Sequence, residues 1–223
     1  MEAYYRERAR EYDKIYRAPE WQDDLAWLKS WLRDATEGRT VLELAAGTAY
    51  WTEAAARAKA IVATDYNPEM LALAAKRSLG AHVALITADA YSLPKFDNAF
   101  DVGMAHLWWS HVKIQSQQEF LRHFASRLEP GATLLMIDQL YCEESSYPAF
   151  KRDQFGNRYE LRILQNGKSY EVVKNYPTVE ELKNAMAGFC EEIDVTKLHY
   201  FWALRARLRV GADWPENSET SKR

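Results

Sequence analysis

Thr40-Val41-Leu42-Glu43-Leu44 is a short apolar run that stops at Ala45-Ala46-Gly47-Thr48-Ala49, and a helical stretch over about 50–58 follows. Ala60-Ile61-Val62-Ala63-Thr64 repeats the pattern and is closed by Asp65. Asn67-Pro68 then opens a helix to about Leu79, with Asn67 as N-cap and Pro68 at its first position. Further apolar runs at 82–86, 100–105 and 132–138 alternate with a helix at 119–128 that Glu129-Pro130-Gly131 closes. Strands this short and apolar are buried on both faces, so the pattern predicts a mostly parallel sheet covered by helices. Right-handed crossovers place the loops after each strand along one edge, where such folds bind ligands.

Upstream, residues 3–17 read as a helix carrying an aromatic stripe of Tyr5, Tyr12 and Tyr16, interrupted by Pro19. A second helix over about 20–35 gathers Trp21, Leu25, Leu28 and Leu32 on one face. Downstream of 140 the alternation breaks. Runs at 159–164 and 168–174 flank Gln165-Asn166-Gly167 and read as a β-hairpin. Thr178 to Glu181 fits a capping box opening a helix to about Gly188, and strands at about 191–198 and 200–209 finish the sheet. The expected organisation is one domain over 1–210: a helical cap (1–36), a ligand-binding core (38–140), an insertion with the hairpin (141–176), and a C-terminal helix and strands (177–210). A flexible tail is expected at 211–223.

Composition narrows the function. The 29 Lys+Arg against 32 Asp+Glu give a net charge of −3, which excludes a strongly basic nucleic-acid binder and an acidic disordered chain. Cys142 and Cys190 are the two cysteines and sit in no metal-ligand pattern, so neither a disulfide framework nor a metal site is expected. The polar start and the absence of an 18-residue apolar run predict a cytoplasmic protein without a membrane span. Eight Trp and 13 Tyr are enough to line a small-molecule pocket as well as a core.

The strand-end turns carry the chemistry. Small residues at 45–49 let backbone N–H groups approach a ligand at the next helix N-terminus. Asp65 lies 22 residues after Glu43, the place and interval at which a carboxylate accepts both hydroxyls of a ribose. Asp89-Ala90 ends the third strand, where a carboxylate or backbone amide meets an adenine edge. Taken singly, Asp65 and Asp89 also admit a reading as helix caps. Together, on consecutive strands, they describe a nucleoside site.

This series resembles the class I S-adenosylmethionine-dependent methyltransferases. The matching stretches are 41–52, 63–71 (Ala-Thr-Asp-Tyr-Asn-Pro-Glu-Met-Leu), Ala88-Asp89-Ala90 and Leu128-Glu129-Pro130-Gly131-Ala132. The resemblance implies a seven-stranded, Rossmann-like α/β sheet and S-adenosylmethionine as cofactor. It implies that Glu43 and the loop of Ala45, Gly47 and Thr48 hold the methionine moiety, Asp65 the ribose, and Asp89 with Ala90 the adenine. Trp51, Tyr66, Met70, Ala105 and His106 complete the expected cofactor set. The family pattern G/A-x-G-x-G departs here at its last position, Ala49. A narrower resemblance rests on 4–13, Ala105-His106 with His111-Val112, and 162–169 with Val173-Lys174. These look like a small-molecule O-methyltransferase acting on a phosphonate, which implies that basic residues of the hairpin hold an anionic acceptor.

Two hairpin registers remain open. A three-residue turn with a bulge at Gly167 pairs Leu164 with Lys168 and puts Arg158, Arg162, Lys168, Tyr170 and Lys174 on one face. A two-residue Asn-Gly turn instead sets Arg162 opposite Glu171 and sends Lys174 to the other face. Tyr5 and Tyr12 are placed to close over the cofactor. His106 and His111 follow the fourth strand at the ligand edge, as orienting groups or bases, with Trp108 and Trp109 between them as pocket walls. The expected acceptor set is therefore Trp108, Trp109, His111, Arg158, Arg162, Tyr170 and Lys174. The expected function is methyl transfer to an oxygen of a small anionic metabolite. The alternatives are O- or N-methylation of an aromatic or heterocyclic metabolite, and a non-catalytic S-adenosylmethionine binder. A homodimer is compatible with an exposed hairpin. Nucleic acid is not an expected partner.

Overall fold

The computed structural model describes residues 2–97 and 99–210, so the tail expected at 211–223 lies outside the described residues. Strands β1 (Thr40–Leu44), β2 (Ala60–Asp65), β3 (Val83–Thr87), β4 (Val102–His106) and β5 (Thr133–Gln139) are mutually parallel. With β9 (Cys190–Lys197) and β10 (Phe201–Leu208) they form one sheet in the order β3-β2-β1-β4-β5-β10-β9. Only β10 runs against its neighbours, pairing antiparallel with both β5 and β9.

Alternation along each strand divides the core. Val41 joins the apolar cluster under helix α2 (Gln22–Thr36), which contributes Leu25, Leu28 and Leu32. Leu42 and Leu44 join the opposite cluster, with Phe120 and Phe124 of α5 (Gln117–Ala125) and Leu182 and Met186 of α6 (Val179–Met186). A Cβ at Gly103 would stand 2.6 Å from the Leu128 side chain and 2.8 Å from that of Phe124, so any larger residue in β4 would force both to move. The winding reverses between β1 and β4, which opens a crevice at their C-terminal ends.

Three expectations are corrected. The helix expected at 3–17 is α-helical only as α1 (Glu2–Arg8) and tightens to a 3₁₀ helix over Ala9–Arg17. There Asp13 accepts a bond from Thr48 Oγ1 at 2.5 Å and pairs with Arg77, so the segment follows the strand-end loops. Helices α3 (Tyr50–Ala54) and α4 (Pro68–Ala74) are shorter than 50–58 and 67–79. The register pairing Thr40 with Ala60 leaves few residues for the first crossover. Finally, the insertion is a three-stranded sheet, because β6 (Lys151–Arg152) pairs with β7 (Arg158–Ile163), which pairs with β8 (Ser169–Val173). Two exposed residues are too few to show periodicity.

The hairpin adopts the three-residue turn. Gly167 takes φ +79°, the Leu164 N–H donates to the Lys168 carbonyl at 2.9 Å, and Arg162 stands opposite Tyr170. Thr178 and Glu181 form both halves of the capping box of α6. No helix of the described residues is long and apolar enough to cross a membrane.

Candidate functional site

The turn after β1 coils left-handed at alternate residues: φ is 52° at Ala45, 57° at Gly47 and 61° at Ala49. The family's final glycine is thus replaced by an alanine that keeps the glycine-like conformation, at a cost of about 1 kcal/mol. The Gly47 N–H donates to Asp65 Oδ2 at 2.9 Å and the Asn67 N–H to Oδ1 at 2.8 Å. One bond per oxygen leaves each with a lone pair for a ligand hydroxyl. Burial raises the Asp65 carboxyl above its ordinary value, against the pull of these two N–H donors. Asp89 Oδ1 is engaged by the Tyr91 N–H at 2.9 Å, a local turn that leaves Oδ2 as the outward acceptor.

These turns enclose a cleft of about 270 Å³. It is lined by Ala45, Gly47, Thr48 and Trp51, by Asp65, Tyr66 and Met70, by Asp89 and Ala90, by His106, and by Tyr5 and Tyr12 from the N-terminal segment. Tyr16, Asn67, Tyr91 and Leu107 join them. Of the expected cofactor set, Glu43 and Ala105 do not reach the surface of the cleft; both are about 1% exposed. Glu43 lies beneath the loop and accepts from Thr52 Oγ1 at 2.6 Å. Burial pushes its carboxyl up to about 8, so it is mostly protonated at neutral pH. It therefore braces α3. His106 is 5% exposed, and neither of its ring nitrogens has a protein partner; Trp108 Nε1 has none either. Burial drives the His106 imidazole down to about 3, so it is neutral. Orphaned polar atoms on an otherwise apolar wall, beside two turn carboxylates, fit a nucleoside with a polar amino-acid tail.

A second cavity of about 510 Å³ abuts the first, and Tyr5, Tyr12, Leu107 and His111 form the shared wall. Arg8, Arg162, Lys174, Gln139, Tyr147 and Tyr176 line it further. Lys174 is 2% exposed; its Nζ donates to Ser110 Oγ at 2.8 Å and to Asp138 Oδ1 at 3.0 Å. Lys174 and the backbone N–H groups of Ser110 and Gln139 hold the Asp138 carboxyl below its ordinary value despite complete burial. Arg162 and Arg158 both pair with the buried Glu160. His111 Nδ1 lies 2.5 Å from the Val173 carbonyl, which only accepts, so Nδ1 carries the proton. Nε2 therefore accepts from the Tyr5 hydroxyl at 2.6 Å. Burial and the adjacent Lys174 keep this imidazole neutral.

Not every expected acceptor residue comes together here. Trp109 is 1% exposed and packs against Phe120 in the core. Its neighbour Trp108 lines the first cleft instead. Arg158 lines a separate outer cavity, with its guanidinium 5.4 Å from the Tyr141 ring centroid and 5.0 Å from that of Tyr176. Tyr170 lines neither cavity; its hydroxyl donates to Glu7 at 2.7 Å, and Lys168 pairs with the same carboxylate. The shared face of the hairpin is real, but it extends beyond the cavity. Among the residues not singled out, Arg8 lies in the Tyr4–Asp13 stretch, and Leu107 betrays itself only by a left-handed φ of 51°.

Residues 41–131 match a family model described as a methyltransferase domain. The DhpI complex with SAH superposes with a TM-score of 0.77 at 26% identity, covering 93% of this chain and 94% of that one. The DhpI complex with SAM and HEP gives 0.73 at 28%, covering 92% and 94%. SAM-bound CalS10, an amino pentose methyltransferase from Micromonospora echinaspora, gives 0.59 at 19%, covering 87% and 95%, a likeness of fold alone. No curated protein sequence matches the chain.

Proposed function

We propose that this chain, a class I S-adenosylmethionine-dependent methyltransferase, methylates an oxygen of a small anionic metabolite such as a phosphonate or carboxylate. The observation that carries the acceptor reading is the second cavity. It meets the cofactor cleft across Tyr5, Tyr12 and His111 and is lined by Arg162 and Lys174. One structural neighbour, DhpI, is described as a complex with SAM and HEP.

S-adenosylmethionine supplies a methyl group on a sulfonium, an activated electrophile open to in-line attack. Asp65 would hold the ribose hydroxyls, and Asp89 with Ala90 the adenine edge. Ala45, Gly47, Thr48, Trp51, Tyr66, Met70 and His106 would enclose the remainder, with Tyr5 and Tyr12 closing over it. The protein's main contribution is then proximity and alignment. An anionic acceptor oxygen needs no general base at neutral pH. His111 suits that role division: its free lone pair is occupied by the Tyr5 hydroxyl, so it positions Tyr5.

An aromatic acceptor is the second reading, favoured by Tyr147, Tyr176 and Tyr200 around the cavity. Arg162→Ala separates the two. With an anionic acceptor KM rises roughly tenfold, the value of one charge-assisted bond, while cofactor affinity by calorimetry stays unchanged. An unchanged KM for the acceptor refutes the anionic reading and favours the aromatic one.

A further inference from the structure

The second cavity holds more cations than its carboxylates balance, and the half-buried one among the described residues without an acidic partner is Arg8. Arg8 is the last residue of α1 and lines this cavity but not the cofactor cleft. Its Nη1 donates to the Tyr4 hydroxyl at 2.8 Å, and its guanidinium lies 5.6 Å from the ring centroids of both Tyr4 and Tyr12. Among the described residues no carboxylate pairs with it. A guanidinium is weakly hydrated and stacks on aromatic faces, so it tolerates a half-dry wall better than an ammonium does. It also has donors to spare.

The neighbouring charges are already committed. Lys174 and Asp138 cancel. Glu160 is a single carboxylate between two guanidiniums, Arg158 and Arg162, which leaves one positive charge over. His111 is neutral. Lys14 stands at the exposed rim and pairs with Glu11 at 3.4 Å. Arg17 and Glu20 also lie at the solvent-facing mouth, where screening is strong. Arg8 therefore adds a second unbalanced positive charge to the cavity wall, from α1 rather than from the inserted sheet.

We propose that Arg8 is a specificity-determining residue of this cavity, which with Arg162 selects a doubly charged phosphonate or phosphate group over a singly charged carboxylate. The proposal rests on the anionic-acceptor reading and narrows it. The placement of Arg8 depends on its neighbour Glu7. That carboxylate accepts from Lys168 Nζ at 2.9 and 3.0 Å, from the Tyr170 hydroxyl at 2.7 Å and from Asn166 Nδ2 at 3.1 Å. Together with the Tyr5–His111 bond, these contacts seat α1 against the hairpin. Glu7 is thus a positioning residue for Arg8.

The test uses the full chain saturated with S-adenosylhomocysteine. Ethylphosphonate and its carboxylate counterpart, propionate, are titrated at a pH above the second phosphonate ionisation. The wild type binds ethylphosphonate more tightly. Arg8→Met weakens ethylphosphonate roughly tenfold or more, weakens propionate less, and leaves S-adenosylhomocysteine affinity within about twofold. Retained S-adenosylhomocysteine binding also reports that the variant folds. Arg8→Lys recovers part of the loss, and Glu7→Gln gives a smaller loss confined to the same ligand. Ethylphosphonate affinity unchanged in Arg8→Met overturns the assignment and leaves the anionic reading standing. A parallel loss of S-adenosylhomocysteine affinity also overturns it, since Arg8 would then serve the cofactor. Failure of the wild type to bind ethylphosphonate removes the anionic reading itself and this proposal with it.

Discussion

The cofactor cleft takes most of its wall from successive strand-end turns between residues 45 and 108, whereas the second cavity draws Arg8 from α1, Gln139 from β5 and Arg162 and Lys174 from the inserted sheet and its exit. Their electrostatics differ in the same way. Two buried carboxyls of the cleft side, Asp65 at its surface and Glu43 beneath its first turn, meet hydrogen-bond donors but no cation among the described residues, and burial lifts both. Asp138, at the cavity, is buried as deeply but faces Lys174, and is held down. A binding surface made of local turns keeps its stability in backbone geometry. One assembled from distant segments keeps it in buried ion pairs, and so depends on every member being present.

Removing one partner of such a pair is the strongest way to break this contrast. Lys174→Met strands Asp138, which is 0% exposed, and should destabilise the fold by about 3–5 kcal/mol in chemical denaturation. Adding Asp138→Leu should recover much of that. A loss below about 1 kcal/mol would mean that the buried pair is no more than a surface bridge.

The pH dependence sharpens the contrast with opposite signs. Glu43 titrates at about 8 when folded and near 4.5 when unfolded. Between these values the folded state binds more protons, so this group's contribution to stability falls as pH rises from about 4.5 to 8, by up to about 5 kcal/mol. Asp65 acts in the same direction. Glu43→Gln should flatten that slope in thermal melts of the cofactor-free protein. Asp138 does the reverse: its contribution is present above the ordinary aspartate range and is lost as pH falls through its depressed folded value. A Glu43→Gln variant with the wild-type slope would show that the buried carboxyl does not titrate as described.

The same division explains what was legible before the fold was known. The turns at 45–49, 65–67 and 89–90 announce themselves through changes of hydrophobic period and small residues, all local signals. The even-numbered face of the hairpin followed from alternation once its turn was set. Alternation does not say where along a strand a cavity ends, which is why Arg158 and Tyr170 fall outside it. Trp108 and Trp109 are adjacent, and only the backbone turn after β4, with Leu107 left-handed, decides that one faces the cleft and the other the core. Arg8 carries no local mark at all. One arginine among Arg6, Arg8 and Arg10 acquires meaning only when the charges around the cavity are known to be spent.

A crystal structure with S-adenosylhomocysteine bound tests the assignment of the two cavities. The expected result is ribose hydroxyls on Asp65, adenine beside Asp89 and Ala90, and a sulfur turned toward the wall of Tyr5, Tyr12 and His111 that the cleft shares with the second cavity. A nucleoside seated among Arg8, Arg162 and Lys174, or a sulfur turned away from that cavity, would contradict it.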